Sequence, residues 1–313
     1  MASNTKLDQQ ILHDHAEKVD RYELLPLQNL PRSWSDYPRV AWNCLQSFVK
    51  SCIIFYQTKP DVLFSTGGII ALPTCLAAYL MNIPIHFYEL NVIPGKAIKT
   101  LAPIAQKIYC AFDQVAFNNL EHKTEYLAYP IRYDHAQMAK TAAQARQSMG
   151  LAITKYTITV LGGSQGSQSL NHAVLQLIAD KNFPASDVQF IHQTGTNEVE
   201  KVKAAYQKRS ISAHVFDYTA QLADMYAAAD LVIARAGAGT IFECKAFSKP
   251  SILIPLETDI TDHQKDNALQ AQKLYSNLFH VMDQAAVLSH NAAPIASYIT
   301  KLIKKKDCND ETV

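Results

Sequence analysis

Short apolar runs that end on glycine or a polar cluster alternate along this chain with longer stretches whose apolar residues recur every three or four positions. The short runs predict strands at 61–65, 83–88 and 107–112, then at 157–161, 188–192, 214–216, 231–234 and 251–256. Helical spacing follows several of them, as at Leu170, Val174, Leu177 and Ile178 after a glycine cluster. The apolar run 69–81 after Gly68 is a further helix. So is 294–306, where Ile295, Tyr298, Ile299, Leu302 and Ile303 precede three lysines, charges that the end of a helix favours. Alternation of this kind predicts βαβ units and parallel sheets. A polar, alanine-rich stretch at 134–150 separates the two series. We therefore expect one domain at 1–140, a second at 150–289, and a terminal helix within 290–313 that packs back on the first.

Composition narrows the class. A chain of 313 residues is long for one core, and 48% hydrophobic with 18% charged residues is ordinary for a soluble globular protein. The formal net charge of +1, with no basic cluster interleaved with aromatics, argues against nucleic acid as a partner. Six cysteines without a CxxC pair or zinc spacing predict reduced thiols and no metal centre. The first ten residues lack the apolar core of a signal peptide, and 69–81 is too short to span a bilayer. Trp34, Trp42, Phe48 and Ile53 to Tyr56, with Arg32, Arg39 and Lys50, predict either a helix packed inward or one resting on a membrane surface.

Polar clusters stand where the predicted strands end. The most informative is Gly162-Gly163-Ser164-Gln165-Gly166, between an apolar strand and a helix. Glycines there expose backbone N–H groups at the positive end of a helix, a site suited to phosphate. No Gly-Lys-Ser/Thr follows, so it is not a Walker loop, and the glycine spacing is not that of a dinucleotide fingerprint. Other such clusters are Gly67-Gly68, Glu89 with Asn91, His192 to Gly195, and Arg235 to Thr240. Ligands of parallel sheets bind beyond the carboxyl ends of strands, so these clusters predict a ligand cleft between two Rossmann-like domains.

In order, Gly162 to Gly166, His192 to Gly195, Arg235-Ala236-Gly237-Ala238-Gly239-Thr240 with Glu243, and His263-Gln264 with Asn267 resemble the MurG family. These are UDP-N-acetylglucosamine:lipid I N-acetylglucosaminyltransferases of peptidoglycan synthesis. Gly67, Gly68, Glu89, Asn91, Pro94-Gly95, Pro130 and Arg132 look like landmarks of that family's acceptor half, and the resemblance runs from about residue 20 to 305. It implies an α/β GT-B fold of two Rossmann-like domains facing across a cleft. It also implies inverting transfer without metal or cofactor, a lipid-pyrophosphate acceptor, and a peripheral place at the cytoplasmic face of the cell membrane.

The resemblance assigns donor binding to Asn91, Arg132, Gly162, Gly163, Ser164, Gln165, Gly166, Thr219, Arg235, Gly237, Ala238, Gly239, Thr240, Glu243, His263, Gln264 and Asn267. Gly67 and Gly68 would cradle the acceptor pyrophosphate, and Glu89 would be the catalytic base. Chemistry fits several of these roles. A carboxylate at Glu243 can accept from both ribose hydroxyls, although Thr240 to Glu243 also reads as a capping box. Amides at Gln264 and Asn267 can read sugar hydroxyls. Arg235 can meet a phosphate or pair with an acid, and backbone near Tyr218-Thr219 can read uracil. Gln193 and Thr194 suit a supporting loop as well as a contact.

Two departures from the family pattern stand out. The family's first strand and its Gly-Gly-Thr-Gly-Gly-His loop have no counterpart here, and a family histidine is replaced in Tyr88-Glu89-Leu90-Asn91. Three readings follow: a truncated chain, one completed by a partner polypeptide that supplies the loop, or a protein that binds donor and catalyses poorly. Rival functions are another GT-B enzyme acting on UDP-sugars, such as an epimerase, and a non-catalytic UDP-sugar-binding protein.

Overall fold

The computed structural model describes the chain apart from residues 6–7, 10–11, 14–15, 28–32, 114, 116, 118, 164–165, 220, 257–262, 290–291 and 311–313. It divides into two units, Met1–Ala128 and Tyr129–Val313.

In the first unit, strands β1 (Ala2–Ser3) and β2 (Leu24–Leu25) form a short parallel pair. A separate parallel sheet runs β3 (Leu63–Ser65), β4 (Ile85–Glu89), β5 (Lys107–Cys110) and β6 (Thr124–Tyr126), in that order. Helices α1 (Tyr37–Thr58), α2 (Ala71–Leu80) and α3 (Lys96–Leu101) accompany it. Ile54 and Phe55 of α1 and the alanines of α2 form one core with Ile85, Phe87 and Ile108 of the sheet. That core takes one face of each strand, because side chains alternate. The opposite face carries Phe64, about half exposed, stacked on Tyr109 at 6.1 Å between centroids. Among the described residues β3 is an open edge of this sheet.

The second unit is a six-stranded parallel sheet. Its strands are β7 (Tyr156–Leu161), β8 (Val188–Gln193), β9 (Ala213–Phe216), β10 (Leu231–Ala234), β11 (Ser251–Leu253) and β12 (Phe279–Val281). They lie in the order β12-β11-β10-β7-β8-β9. The order reverses between β7 and β10, the switch point of a doubly wound sheet. Every residue of β7, β8, β10 and β11 is buried, as a parallel sheet covered on both faces requires. Around it lie α4 (His135–Met138), α5 (Ala142–Ser148), α6 (Gln168–Ala179), α7 (Val199–Lys208), α8 (Ala223–Ala228), α9 (Ala238–Ala246), α10 (His263–Leu274), α11 (Gln284–Ser289) and α12 (Ala293–Asp310).

The polar stretch at 134–150 folds as α4 and α5, each opened by a capping box, Asp134 with Gln137 and Thr141 with Gln144. Buried Arg146 anchors α5 through Asp230 at 2.7 Å and the carbonyls of Ala228 and Ile153. Ile295 and Ile299 of α12 are fully buried in the core of the second unit.

Candidate functional site

In the second unit the loop after β7 is built by glycine. Gly163 and Gly166 adopt φ of +85° and +73°, where a side chain would be strained. The Gly166 N–H donates to the Gly163 carbonyl at 3.0 Å. A Cβ on Gly166 would stand 2.5 Å from the Thr194 carbonyl oxygen, so the turn closes directly against the loop after β8. Ser167 then caps α6, its Oγ accepting from the Leu170 N–H at 3.4 Å. Ser164 and Gln165, expected at the tip of this loop, lie outside the described residues.

A cavity of about 270 Å³ opens beside Gly163, near the lower end of the roughly 300–1,000 Å³ typical of ligand pockets. Leu161 of β7, Gln193 of β8 and Tyr218-Thr219 after β9 form one side. Gly237, Gly239 and Thr240 at the start of α9, with Glu243, form another. Tyr129, Arg132 and Leu222 complete it. The cavity therefore lies beyond the carboxyl ends of β7 and its neighbours, at the reversal of strand order. Backbone N–H groups at the start of α9 add a second positive dipole end.

Glu243 and Arg132 supply the side-chain charge among the described lining residues. Arg132 Nε lies 2.9 Å from Glu243 Oε1, and Tyr226 donates its hydroxyl to Oε2 at 2.9 Å. The carboxylate is 5% exposed and the guanidinium 48%. The guanidinium is half open to water but the carboxylate is buried, so Arg132 can turn to an incoming phosphate only as the ligand supplies Glu243 with replacement donors. Tyr129 stacks on Phe242 at 5.0 Å, and its hydroxyl closes on Gly239, where a Cβ would come within 3.2 Å.

Thr240 and Glu243 do not form a capping box. The N-cap of α9 is Gly237, with no side-chain cap, which places Thr240 inside the helix. Glu243 is thereby left to face the cavity.

Arg235 does not line the cavity. Its guanidinium donates to Ser167 Oγ from Nε and Nη2, to Ser169 Oγ from Nη2, and to the Ile254 and Pro255 carbonyls from Nη1. These bonds use all five of its N–H donors, so Arg235 meets neither a free phosphate nor an acid. It ties the cap of α6 to the loop after β11. Burial pushes its pKa down to about 10, which leaves it charged at neutral pH.

The structure thus gathers Arg132, Gly163, Thr219, Gly237, Gly239, Thr240 and Glu243 around one space. Gly162 and Gly166 are outside the lining and serve the turn itself, since a Cβ on Gly162 would stand 2.7 Å from the Ser167 nitrogen. Ala238 is buried in the first turn of α9. His263, Gln264 and Asn267, at the start of α10, are outside the lining. The Gln264 Oε1 accepts from the Leu256 N–H at 2.9 Å. Tyr129 and Tyr226 carry no sequence signal of a role here, because lone aromatics in a linker and a short helix form no motif.

In the first unit, the Glu89 carboxylate is 2% exposed and fully engaged. Its Oε1 accepts from the backbone N–H and the side-chain amide of Asn91, at 2.9 and 3.0 Å, and Oε2 accepts from the Gly95 N–H at 2.8 Å. These three donors make it the staple of the loop 89–95. Gly67 and Gly68 turn through φ of +86° and +80° after β3. A Cβ on Gly67 would meet Ile98 at 2.9 Å, so glycine is needed there for packing as well as for the turn.

Residues 157–311 match the glycosyltransferase family 28 C-terminal domain, and residues 1–110 the family 28 N-terminal domain. A UDP-N-acetylglucosamine--N-acetylmuramyl-(pentapeptide) pyrophosphoryl-undecaprenol N-acetylglucosamine transferase of Myxococcus xanthus is 32% identical over 222 residues, 71% of this chain and 56% of that protein. A transferase of the same name from Thermodesulfovibrio yellowstonii is 32% identical over 237 residues, 76% of this chain and 64% of its own length. The chain thus spans about three fifths of the length of these curated relatives. Among solved structures, Acinetobacter baumannii MurG superposes with a TM-score of 0.70 at 21% identity, covering 95% of this chain and 81% of that one. A Neisseria meningitidis UDP-GlcNAc 2-epimerase bound to UDP-GlcNAc gives 0.64 at 13% identity, covering 99% and 84%. At these identities the likeness establishes the fold, two parallel-sheet α/β units of the GT-B class.

Proposed function

The chain belongs to glycosyltransferase family 28, and we propose that it transfers N-acetylglucosamine from UDP-N-acetylglucosamine to the C4 hydroxyl of lipid I, giving the β-linked disaccharide of lipid II. The observation that carries this reading is the cavity at the switch point of the second unit, with Gly163 of the glycine loop, the N-terminus of α9, Arg132 and Glu243 around it.

Each part has a task in that reaction. Uracil enters between Tyr218-Thr219 and the end of β8, and Glu243 accepts from the ribose hydroxyls with the lone pairs that Arg132 and Tyr226 leave open. The diphosphate lies along the glycine loop, and Arg132 moves from Glu243 to it. Gln264 reads the sugar, while Asn267, one turn further along α10, is buried and makes no direct contact with it. The acceptor oxygen attacks the anomeric carbon while the bond to UDP breaks on the opposite face, and the hydroxyl proton passes to water. Negative charge grows on the departing diphosphate, where fixed N–H dipoles and Arg132 stabilise it. In the first unit, Glu89 holds the loop of Asn91 and Gly95; the Gly67 N–H donates to Ser65 Oγ at 3.2 Å, and Gly68 offers its backbone N–H to the acceptor pyrophosphate.

The exposed stripe Trp42, Leu45, Val49, Ile53 and Tyr56 along α1 suits the surface of the cytoplasmic membrane, where the lipid acceptor resides. Among the described residues no helix is long and apolar enough to cross it. A partner polypeptide carrying a glycine-rich strand–helix unit would pair with the open edge of β3 and cover Phe64.

Calorimetric titration with UDP-N-acetylglucosamine tests the donor site. Binding in the micromolar to sub-millimolar range, roughly 4–8 kcal/mol, weakened in Gln264→Ala and Glu243→Gln, supports it. A folded chain that takes up no nucleotide defeats it. Conversion of the sugar nucleotide without lipid I would instead make the protein an epimerase-type enzyme.

A further inference from the structure

Behind the cavity, the second unit holds a chain of buried polar side chains that the proposed reaction does not use. His192 is fully buried in β8 between α6 and α7. Its Nδ1 lies 3.0 Å from the Tyr206 hydroxyl and its Nε2 lies 3.1 Å from Asn171 Oδ1. Asn171 Nδ2 donates to the Thr194 carbonyl at 2.9 Å and to Glu198 Oε2 at 2.6 Å. Lys201 holds the other Glu198 oxygen at 2.7 Å.

Only one arrangement of protons satisfies all of these contacts. The Thr194 carbonyl and the Glu198 carboxylate are acceptors, so the Asn171 NH₂ must face them and its oxygen must face His192. His192 therefore carries its proton on Nε2, and Nδ1 accepts from Tyr206. Burial fits both ends of this chain, because it pushes the imidazole down to about 3 and keeps the Tyr206 phenol protonated. The chain runs in one direction, from Tyr206 through His192 and Asn171 to the Thr194 carbonyl. That carbonyl is the wall against which Gly166 turns, within 2.5 Å of the place a Cβ would occupy.

We infer that His192, fixed in one tautomer by Tyr206, is a positioning residue that seats the diphosphate-binding glycine loop through Asn171 and the Thr194 carbonyl. The role of the loop rests on the donor reading above; the seating of the loop does not. Removing the Tyr206 hydroxyl frees the imidazole to take the other tautomer. An unprotonated Nε2 then meets Asn171, whose amide turns to donate to it and presents its oxygen to two acceptors. The Thr194 carbonyl loses its donor, and the wall beside Gly166 shifts.

Amide hydrogen exchange on the full chain without ligand reads the seat of the loop, and UDP titration reads its consequence. In Tyr206→Phe and His192→Leu, exchange of peptides spanning 162–167 should rise by about fivefold or more through local opening, with UDP affinity falling by about tenfold. The melting temperature of Tyr206→Phe should stay within a few degrees of wild type. His192→Gln, whose amide can accept from Tyr206 and donate to Asn171, should restore both readouts. Unchanged loop exchange in folded Tyr206→Phe, or a rise spread evenly over the second unit, overturns the inference. If the wild-type chain binds no UDP, the donor reading fails, while the exchange measurement still decides the seating of the loop.

Discussion

At the scale of single residues, the site depends on charges whose partners are few. Glu243 is the buried carboxylate of the cavity, held by Arg132 and Tyr226. Glu243→Gln keeps the shape and removes the charge, and should weaken UDP binding about tenfold, or about 1.4 kcal/mol, with little change in melting temperature; paired calorimetric titration and scanning checks this. A second prediction concerns pH. Burial lowers the pKa of His192 from the ordinary imidazole value of 6.5 to about 3, partly offset by the charge of Glu198. The folded state therefore releases a proton that the unfolded chain keeps. This contribution is level above pH 6.5 and turns against folding as pH falls from 6.5 toward 3. It amounts to about 1.4 kcal/mol per pH unit within that window. Urea unfolding at pH 7.5, 6 and 5 should show a steeper loss for wild type than for His192→Gln.

Elements carry the next set of constraints. Gly166→Ala forces a Cβ into the Thr194 carbonyl at a left-handed φ, and should cost about 1–3 kcal/mol of stability, with loss of UDP binding; denaturant melts and titration check both. Along α1 the exposed residues Trp42, Leu45, Val49 and Ile53 form one stripe, while Ile54 and Phe55 face the core. Helical periodicity shows that α1 has an apolar face, but both its faces are apolar here, so periodicity could not choose which one is covered. Leu45→Glu with Val49→Glu should reduce co-sedimentation with anionic vesicles several-fold and leave UDP affinity unchanged. Equal sedimentation would leave α1 as an ordinary surface helix.

For the molecule as a whole, the proposed function places nucleotide chemistry in the second of the two units. UDP should slow hydrogen exchange at 129–133, 162–167, 193–195, 216–219 and 237–243, and leave the first unit unchanged. A glycine-rich strand–helix polypeptide added in trans should raise transfer to lipid I, and equal rates with and without it would remove that part of the proposal. The strands at 107–112, 157–161, 188–192 and 231–234 were legible to within two residues, because short apolar, β-branched or aromatic runs that end on polar or glycine residues favour a buried strand. Those at Thr124–Tyr126 and Phe279–Val281 were not. They are three residues long and polar in part, and only pairing with a neighbouring strand makes them strands.

The sequence by itself determined the alternation of strand and helix, the place of the glycine loops at strand ends, and the family-specific order of polar clusters. These are local properties, set by side-chain period and backbone freedom within a few residues. Only the tertiary structure decided which polar residues meet. It turned Arg235 inward onto Ser167 and the carbonyls near Ile254, and brought Arg132 and Tyr226 onto Glu243. It also closed Glu89 over Gly95 and threaded His192 between Tyr206 and Asn171. Each of these partners depends on the order in which strands pair and on the face each helix turns to the sheet. Burial then leaves every polar group to be satisfied by whichever neighbour the packing supplies.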